Sequence, residues 1–389
     1  MGILNNTVSI CQFQILGTMP ETELAEWVGE RLTRDGFRSI ELSSEELSIG
    51  WVQLADYQES AFNGLDTFQH DHYLAFSLRR DQRKLPAALL KPYILKAEEE
   101  WLAANPQFKR VPKQQREELR DAVRGKLFSK TLPVPAIYDT VWDTRSNTII
   151  FSSLGSVAVD LFVDQFKKSF DGLRLVPVHP VARAGQVIDE ALQPALTRAN
   201  RSGSEAVLEQ IEANQWLGTD FLLWLMHETM NAASEYTVNQ PGPAVTGDGF
   251  VAYLNDRLLL AASSESGVQK VTVTGPQDHF SEVRTALQGG KEIHEAVLYL
   301  EQQEKQWKMT LKGDTFHFAS FKAPTVTLEK DDITDPELEH EAVFFERMYL
   351  LEEGLQLFNS LFATFLAQRL DQGWAQKEQE IRTALAQAC

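Results

Sequence analysis

The chain has 389 residues, of which 43% are hydrophobic and 24% charged, and its formal net charge is −18. This length suits two or three domains with a substantial core, and the apolar and aromatic content excludes long disordered regions. Cys11 and Cys389 are the only cysteines, which excludes a disulfide framework and a CxxC metal site and favours a reducing cytoplasm. No secretory leader and no apolar run of about 20 residues is found, so neither secretion nor membrane insertion is expected.

The first 180 residues predict an N-terminal α/β domain that contains a pair of charged helices. Alternating or helical apolar spacing and the positions of Pro and Gly define its elements. In chain order these are the strand VSICQFQI (8–15), a helix ending at Arg34, a short strand FRSIEL, the strand HYLAFSLRR (72–80), helices over 87–103 and 113–128, a strand pair in YDTVWDTRSNTIIFSS, a helix over 154–170 and the strand LRLVPV (173–178). The last three predict a βαβ-like unit.

The remaining sequence predicts a second domain over 181–330 and a long C-terminal helix over 331–389, so the fold class is α+β. Residues 181–215 are polar and irregular and indicate a domain boundary. A buried helix over 218–234 precedes strands separated by Asn-Asp and Gly-Asp turns, which predict a mostly antiparallel sheet.

The C-terminal helix carries apolar residues at alternating steps of four and three. They are Phe344, Met348, Leu351, Leu355, Phe358, Phe362 and Phe365. This heptad pattern has two interpretations: the helix packs on its own domain, or it pairs with a second subunit.

Positive charge is concentrated in one segment of this acidic chain. From Arg79 to Lys130 the sequence has fourteen Lys and Arg against seven acidic residues, a net charge of +7. Four of these cations, Lys113, Arg116, Arg120 and Arg124, fall within a sector of about 80° on a helix, beside an apolar stripe of Leu119, Val123 and Leu127. The cationic side is either a solvated face or a track for a phosphate backbone.

Other candidate chemistry is weaker. The sequence shows no phosphate loop, dinucleotide fingerprint or nucleophile elbow. His70, Asp71 and His72 could hold a metal but suit a solvated turn equally well, and His227-Glu228 lacks the second His of a zincin helix. Asp139 and Asp143 could bind a divalent ion as nuclease carboxylates do, although turn and strand-edge roles are favoured.

The order of several phrases resembles the RdgC family of recombination-associated proteins. They are GWV (50–52), LAFSLRRDQRKLP (74–86), REELRDAVRGKLFSKTLP, AIYDTVWDTRSNTIIFSS, VDQFKKSFDGLRLVPVHP, LGTDFLLWL (217–225), ALQGGKEIHEAVLYL and RMYLLEEGLQLFNSLFATFLAQRL. The resemblance spans nearly the whole chain. Similar long variants are often labelled exonucleases.

The resemblance implies a non-enzymatic binder of duplex DNA without sequence preference, acting as a ring-shaped, nucleoid-associated homodimer that restrains a RecA-type recombinase. It implies no catalytic residue, and the lack of phosphate loops and metal-ligand spacings predicts that no nucleotide, haem or structural metal is needed. The expected DNA-binding residues are Arg79, Arg80, Arg83, Lys84, Lys113, Arg116, Arg120, Arg124, Lys130 and Lys291. Where the family's second domain has a basic loop, this chain reads TGPQDHF, with only Lys270 and Lys291 nearby. Either this contact is weaker here, or Lys291 substitutes for the loop. The alternatives are a metal-dependent exonuclease using Asp139, Asp143 or the His70–His72 turn, and an assembly protein whose basic helix meets an acidic partner.

Overall fold

The computed structural model describes residues 2–43, 45–204, 206–231, 234–264, 267–326 and 336–386. The chain packs as two compact units. The smaller unit comprises Gly17–Thr144 and Asp160–Leu173, and the larger unit comprises Met1–Leu16, Arg145–Val159 and Arg174–Cys389.

The elements of the described residues confirm an α+β fold. The strands are β1 (Thr7–Leu16), β2 (Leu47–Gln53), β3 (Gln69–His70), β4 (Tyr73–Gln82), β5 (Val134–Asp143), β6 (Thr148–Phe151), β7 (Arg174–Pro177), β8 (Glu235–Thr237), β9 (Gly249–Ser264), β10 (Gly267–Thr274), β11 (Glu292–Gln302), β12 (Lys305–Lys312) and β13 (His317–Lys322). The helices are α1 (Leu24–Arg34), α2 (Ala87–Ala104), α3 (Lys113–Phe128), α4 (Ser156–Ser169), α5 (Pro180–Val187), α6 (Gln193–Ala199), α7 (Val207–Ala213), α8 (Gln215–Met230), α9 (Ser281–Gln288), α10 (Pro336–Arg369) and α11 (Trp374–Ala386). Short 3₁₀ helices lie at Leu65–Thr67 and Glu190–Leu192.

The smaller unit is built on an antiparallel sheet in the order β2-β4-β5. The central strand β4 is buried on both faces from Tyr73 to Leu78. Trp51 on β2 lies edge-on to Phe162 of α4 at 6.2 Å, and its indole Nε1 donates to Ser169 Oγ at 2.8 Å. Burial of these aromatic side chains contributes much of the stability of this core. These contacts therefore hold α4 against one face of the sheet.

The larger unit contains a longer antiparallel sheet in the order β10-β9-β11-β12-β13-β1. Strand β1 pairs antiparallel with β13 near its start, and further along with both β6 and β7. Since β6 and β7 are each antiparallel to β1, they run parallel to each other. This gives the predicted βαβ-like order, with α4 between β6 and β7 in the chain.

The heptad seam of α10 lies in the core of the larger unit. Its seven residues are at most 6% exposed. Phe358 is completely buried. The centroid of its ring lies 4.9 Å from that of Phe318, 5.4 Å from that of Phe316 and 5.9 Å from that of Phe221. The interpretation in which the helix packs on its own domain is therefore the one that the structure supports.

Three sequence predictions differ from the structure. FRSIEL is not a strand: an isolated bridge joins the preceding Gly36 to Trp51 of β2, and within FRSIEL the backbone N–H of Phe37 donates to the Trp51 carbonyl. Residues 181–215 are not irregular but include α5, α6 and α7. The predicted segments 1–180, 181–330 and 331–389 do not coincide with the packing units, because β1, β6 and α10 all lie in the larger unit.

Candidate nucleic-acid interface

Helices α2 and α3 form an exposed pair, which we call the helical arm together with the connecting residues 105–112. Helix α2 has no buried residue, and α3 buries only Leu127 and Phe128, at its end. The arm packs mainly on itself, as shown by the rings of Trp101 and Phe108 at 5.3 Å. A helix pair with so little buried surface presents most of its side chains to solvent.

The cationic face predicted on α3 is present and exposed. Lys113, Arg116, Arg120 and Arg124 are all exposed. Arg116 Nε lies 3.2 Å from Glu98 of α2, and Arg124 lies 3.1 Å from Glu46, with its guanidinium over the ring of Phe128. Lys113 and Arg120 make no ion pair with any described residue. The face is therefore cationic, but acidic neighbours partly neutralise two of its four charges.

The cations at the end of β4 have a different role from those on α3. Arg83 is 4% exposed, and its guanidinium donates to the carbonyl oxygens of Ile40, Glu41, Ser43 and Glu45 at 2.5 to 3.2 Å. We call this arrangement the carbonyl cage. The predicted DNA contact at Arg83 therefore has to be corrected, because the guanidinium is buried and occupied by backbone. The cage also explains why the segment around FRSIEL is not a strand, since its carbonyls turn toward Arg83.

Arg79 is likewise held by the protein itself. Its Nε and Nη2 donate to the buried carboxylate of Asp81 at 2.8 Å each, and its guanidinium lies over the ring of Phe37. The hydrogen bonds to Asp81 raise the pKa of Arg79. Arg80 is half-buried, and its Nε atom has no partner among the described residues. In this cluster only Lys84 has an exposed side chain.

We expect Arg83→Gln to destabilise the smaller unit rather than to weaken ligand binding alone. The change leaves four carbonyls without a charged donor. Hydrogen bonds to charged groups contribute about 1.5–3 kcal/mol each, and because the Gln amide replaces some of them, a loss of about 2–4 kcal/mol in the free energy of unfolding is expected. Urea denaturation of Arg83→Gln measures it. The neighbouring Lys84→Gln is the matched control and should melt as the unchanged chain does; equal stability of the two variants would contradict the carbonyl cage.

The two remaining predicted residues lie in different units. Lys130 follows α3 and is exposed, as are Lys109 and Arg110 in the turn between the helices. Lys109 and Arg110 extend the cationic surface of the arm. They are missing from the predicted site residues, although two adjacent basic residues shortly before Pro112 are a signal that the sequence shows. Lys291 is partly exposed in the larger unit, where its backbone N–H donates to Ala286.

The carboxylates of the nuclease alternative are far apart. Asp139 is 8% exposed and accepts from Ser77 Oγ at 2.9 Å. Asp143 lies four residues further along β5, a separation of about 13 Å on an extended strand, which is too far for both to bind one ion directly. His72 Nδ1 lies 2.7 Å from Asp71, and its Nε2 lies 4.0 Å from Asp143. Asp71 has a φ of 52°, which fits the predicted turn.

Within the described residues, no group of three or more His, Cys, Asp or Glu side chains could hold a metal ion. In the same ranges, no helix combines the length and the apolar character needed to cross a membrane.

These features define an α+β protein with an exposed, cationic helical arm. The family model described as RdgC, "Putative exonuclease, RdgC", matches residues 16–215, just over half of the chain. The chain belongs to this family and is thus a recombination-associated protein, which confirms the resemblance seen in the sequence. No curated protein matches it.

Proposed function

We propose that the chain binds duplex DNA without sequence preference and, as a homodimer, modulates recombination by limiting the access of a RecA-type recombinase to DNA. The exposed cationic face of α3 carries the proposal. Four cations in one sector follow about three helical turns, and phosphate contacts of this kind supply most non-specific affinity for DNA.

The charge of the whole chain supports the assignment of a polyanion to this face. The segment from Arg79 to Lys130 has a net charge of +7, while the total is −18. The rest of the chain is therefore net negative, which favours the segment that contains the arm as a place where a polyanion binds. If the cationic face of α3 were only solvated, positive charge would not need to be concentrated in this one segment.

The exonuclease in the family's description is the competing function, and we propose binding without cleavage. The separation of Asp139 and Asp143 along β5 argues against a shared metal ion between them. Incubation of the chain with linear and nicked duplex DNA in magnesium or manganese, followed by gel electrophoresis, tests both functions. Retarded, intact DNA of random sequence is the expected result. Shortened DNA would replace this proposal by the nuclease, and unretarded, intact DNA would refute both.

The heptad seam of α10 is buried within its own unit, so it gives no support to a subunit interface. The homodimer part of the proposal therefore rests on the family resemblance. Light scattering over a tenfold dilution should show a particle of about two chain masses. A particle of one chain mass throughout would refute the dimer while leaving DNA binding by α3 to be judged by the gel.

The recombinase part of the proposal is tested by adding the chain to duplex DNA before a RecA-type recombinase and measuring strand exchange, which should fall with increasing occupancy of the DNA.

A further inference from the structure

Three strands of the larger unit form a second positively charged surface. Strands β1, β12 and β13 contain Lys305, Lys308, Lys312 and Lys322 and no acidic residue, within a chain of net charge −18. Their inward side chains, such as Phe318 and Met309, are completely buried. The alternate positions therefore face outward, and they carry lysines and hydroxyls.

Strand register brings these outward residues together. Thr7 on β1 pairs with Lys322 on β13, which pairs in turn with Lys308 on β12. Ser9, two residues after Thr7, accepts a hydrogen bond at its Oγ from the backbone N–H of Ser320 at 3.0 Å. We call this surface the lysine-hydroxyl strip; its outward residues are Thr7, Ser9, Lys308, Thr310, Lys312, Ala319, Ser320 and Lys322.

The four lysines differ in how far the protein neutralises them. Lys305 pairs with the buried carboxylate of Glu353 at 2.7 Å, and Lys308 pairs with Asp256. Lys312 and Lys322 make no ion pair with any described residue, and Lys322 is exposed. His317 adds no charge near neutral pH, because burial and the charge of Lys312 lower its pKa to about 4. The charge available to a ligand therefore comes from Lys312 and Lys322.

A cleft of about 350 Å³ is lined by Thr7, the residue that pairs with Lys322 in the strand register. Its wall contains five hydroxyl-bearing residues, Thr7, Ser9, Ser152, Ser153 and Ser320, together with Val8 and Leu154. Hydroxyls can donate to phosphate oxygens, and a lysine contributes a point charge that tolerates many geometries. Since the strip carries no Phe, Tyr or Trp at its outward positions, it lacks the aromatic surface on which unpaired bases stack.

We propose that the lysine-hydroxyl strip is a second binding surface for duplex DNA, in which Lys322, opposite the cleft residue Thr7, contacts one backbone phosphate and Lys312, four residues along β12 from the partner of Lys322, contacts another. This inference rests on the proposed function and adds a contact surface in the larger unit, separate in sequence from α3. Phosphate contacts of this type position the duplex and carry no sequence information.

The test is Lys312→Gln with Lys322→Gln, measured by mobility shift on random-sequence duplex at several salt concentrations. Loss of two phosphate contacts should flatten the salt slope by about 1.8. The loss of affinity between 50 and 200 mM salt should then be about ten times smaller than for the unchanged chain. Arg198→Gln with Arg382→Gln is the matched control, because both arginines are exposed in the same unit and the net charge changes equally. The control should keep the original slope.

A second variant separates a local contact from general electrostatics. Thr7→Glu places a carboxylate opposite Lys322 in the register, where a cross-strand pair of opposite charges preserves the sheet but repels a phosphate. It should weaken binding at least as much as the double Gln variant, with unchanged melting. If the unchanged chain binds duplex and both variants bind like the control, the strip is refuted and the proposed function stands. If the unchanged chain does not bind duplex, both fail.

Discussion

Replacing Arg116, Arg120 and Arg124 together by Gln should flatten the salt dependence of DNA binding while the chain stays folded. The three side chains are exposed on α3, and Gln keeps a high helix propensity. Removal of three phosphate contacts should reduce the slope by about 2.7, so that affinity falls roughly 40-fold less between 50 and 200 mM salt. Mobility shift on random-sequence duplex, with circular dichroism as a check of folding, measures the effect.

The ion pairs on this face supply a reciprocal variant. Glu98 and Glu46 lie 3.2 and 3.1 Å from Arg116 and Arg124. Because these exposed pairs contribute little to stability, Glu46→Gln with Glu98→Gln should leave melting unchanged, release two cations and strengthen binding. Wild-type affinity and slope in the triple variant, or weaker binding in the Glu variant, would show that α3 is a solvated face.

Phe358→Glu should unfold the larger unit. The ring is completely buried among Phe221, Phe316 and Phe318. Loss of a buried Phe side chain alone costs about 3–5 kcal/mol, and an unpaired carboxylate in the same place adds several kcal/mol. Since the total stability of a folded domain is about 5–15 kcal/mol, the cooperative thermal transition of this unit should disappear or shift far downward.

The control for this variant lies on the same helix. Leu338 is 58% exposed, so Leu338→Glu should change the free energy of unfolding by no more than about 0.5 kcal/mol. If Phe358→Glu melted like this control, the packing of α10 described above would be wrong.

Local patterns in the sequence were sufficient for much of the fold. Pro86 and Pro112 precede α2 and α3, whose predicted limits agree with the structure to within about a residue. Period-two alternation located β4, and the family resemblance followed from the order of short phrases. These signals lie within neighbouring residues, so a single sequence contains them.

Features that depend on distant residues were not predictable in this way. In the sequence, Arg83 looks like Lys84, and only the folded chain shows four carbonyls around one of them. The lysine-hydroxyl strip was also missed, because β1 lies more than 300 residues from β13 in the chain and no local pattern reports their pairing. The heptad seam was recognised as a pattern, but its partner required the packed structure.

The carbonyl cage holds the chain just before the helical arm begins. Arg83 lies four residues before α2 begins, and α2 has 18 residues, a length of about 27 Å. A change of about 10° in the direction of the helix at its start would move its far end by about 5 Å, more than the axial rise of about 3.4 Å between successive phosphates of one DNA strand. In the complex proposed above, the alignment of the arm with a phosphate backbone would therefore depend on the carbonyls that hold Arg83.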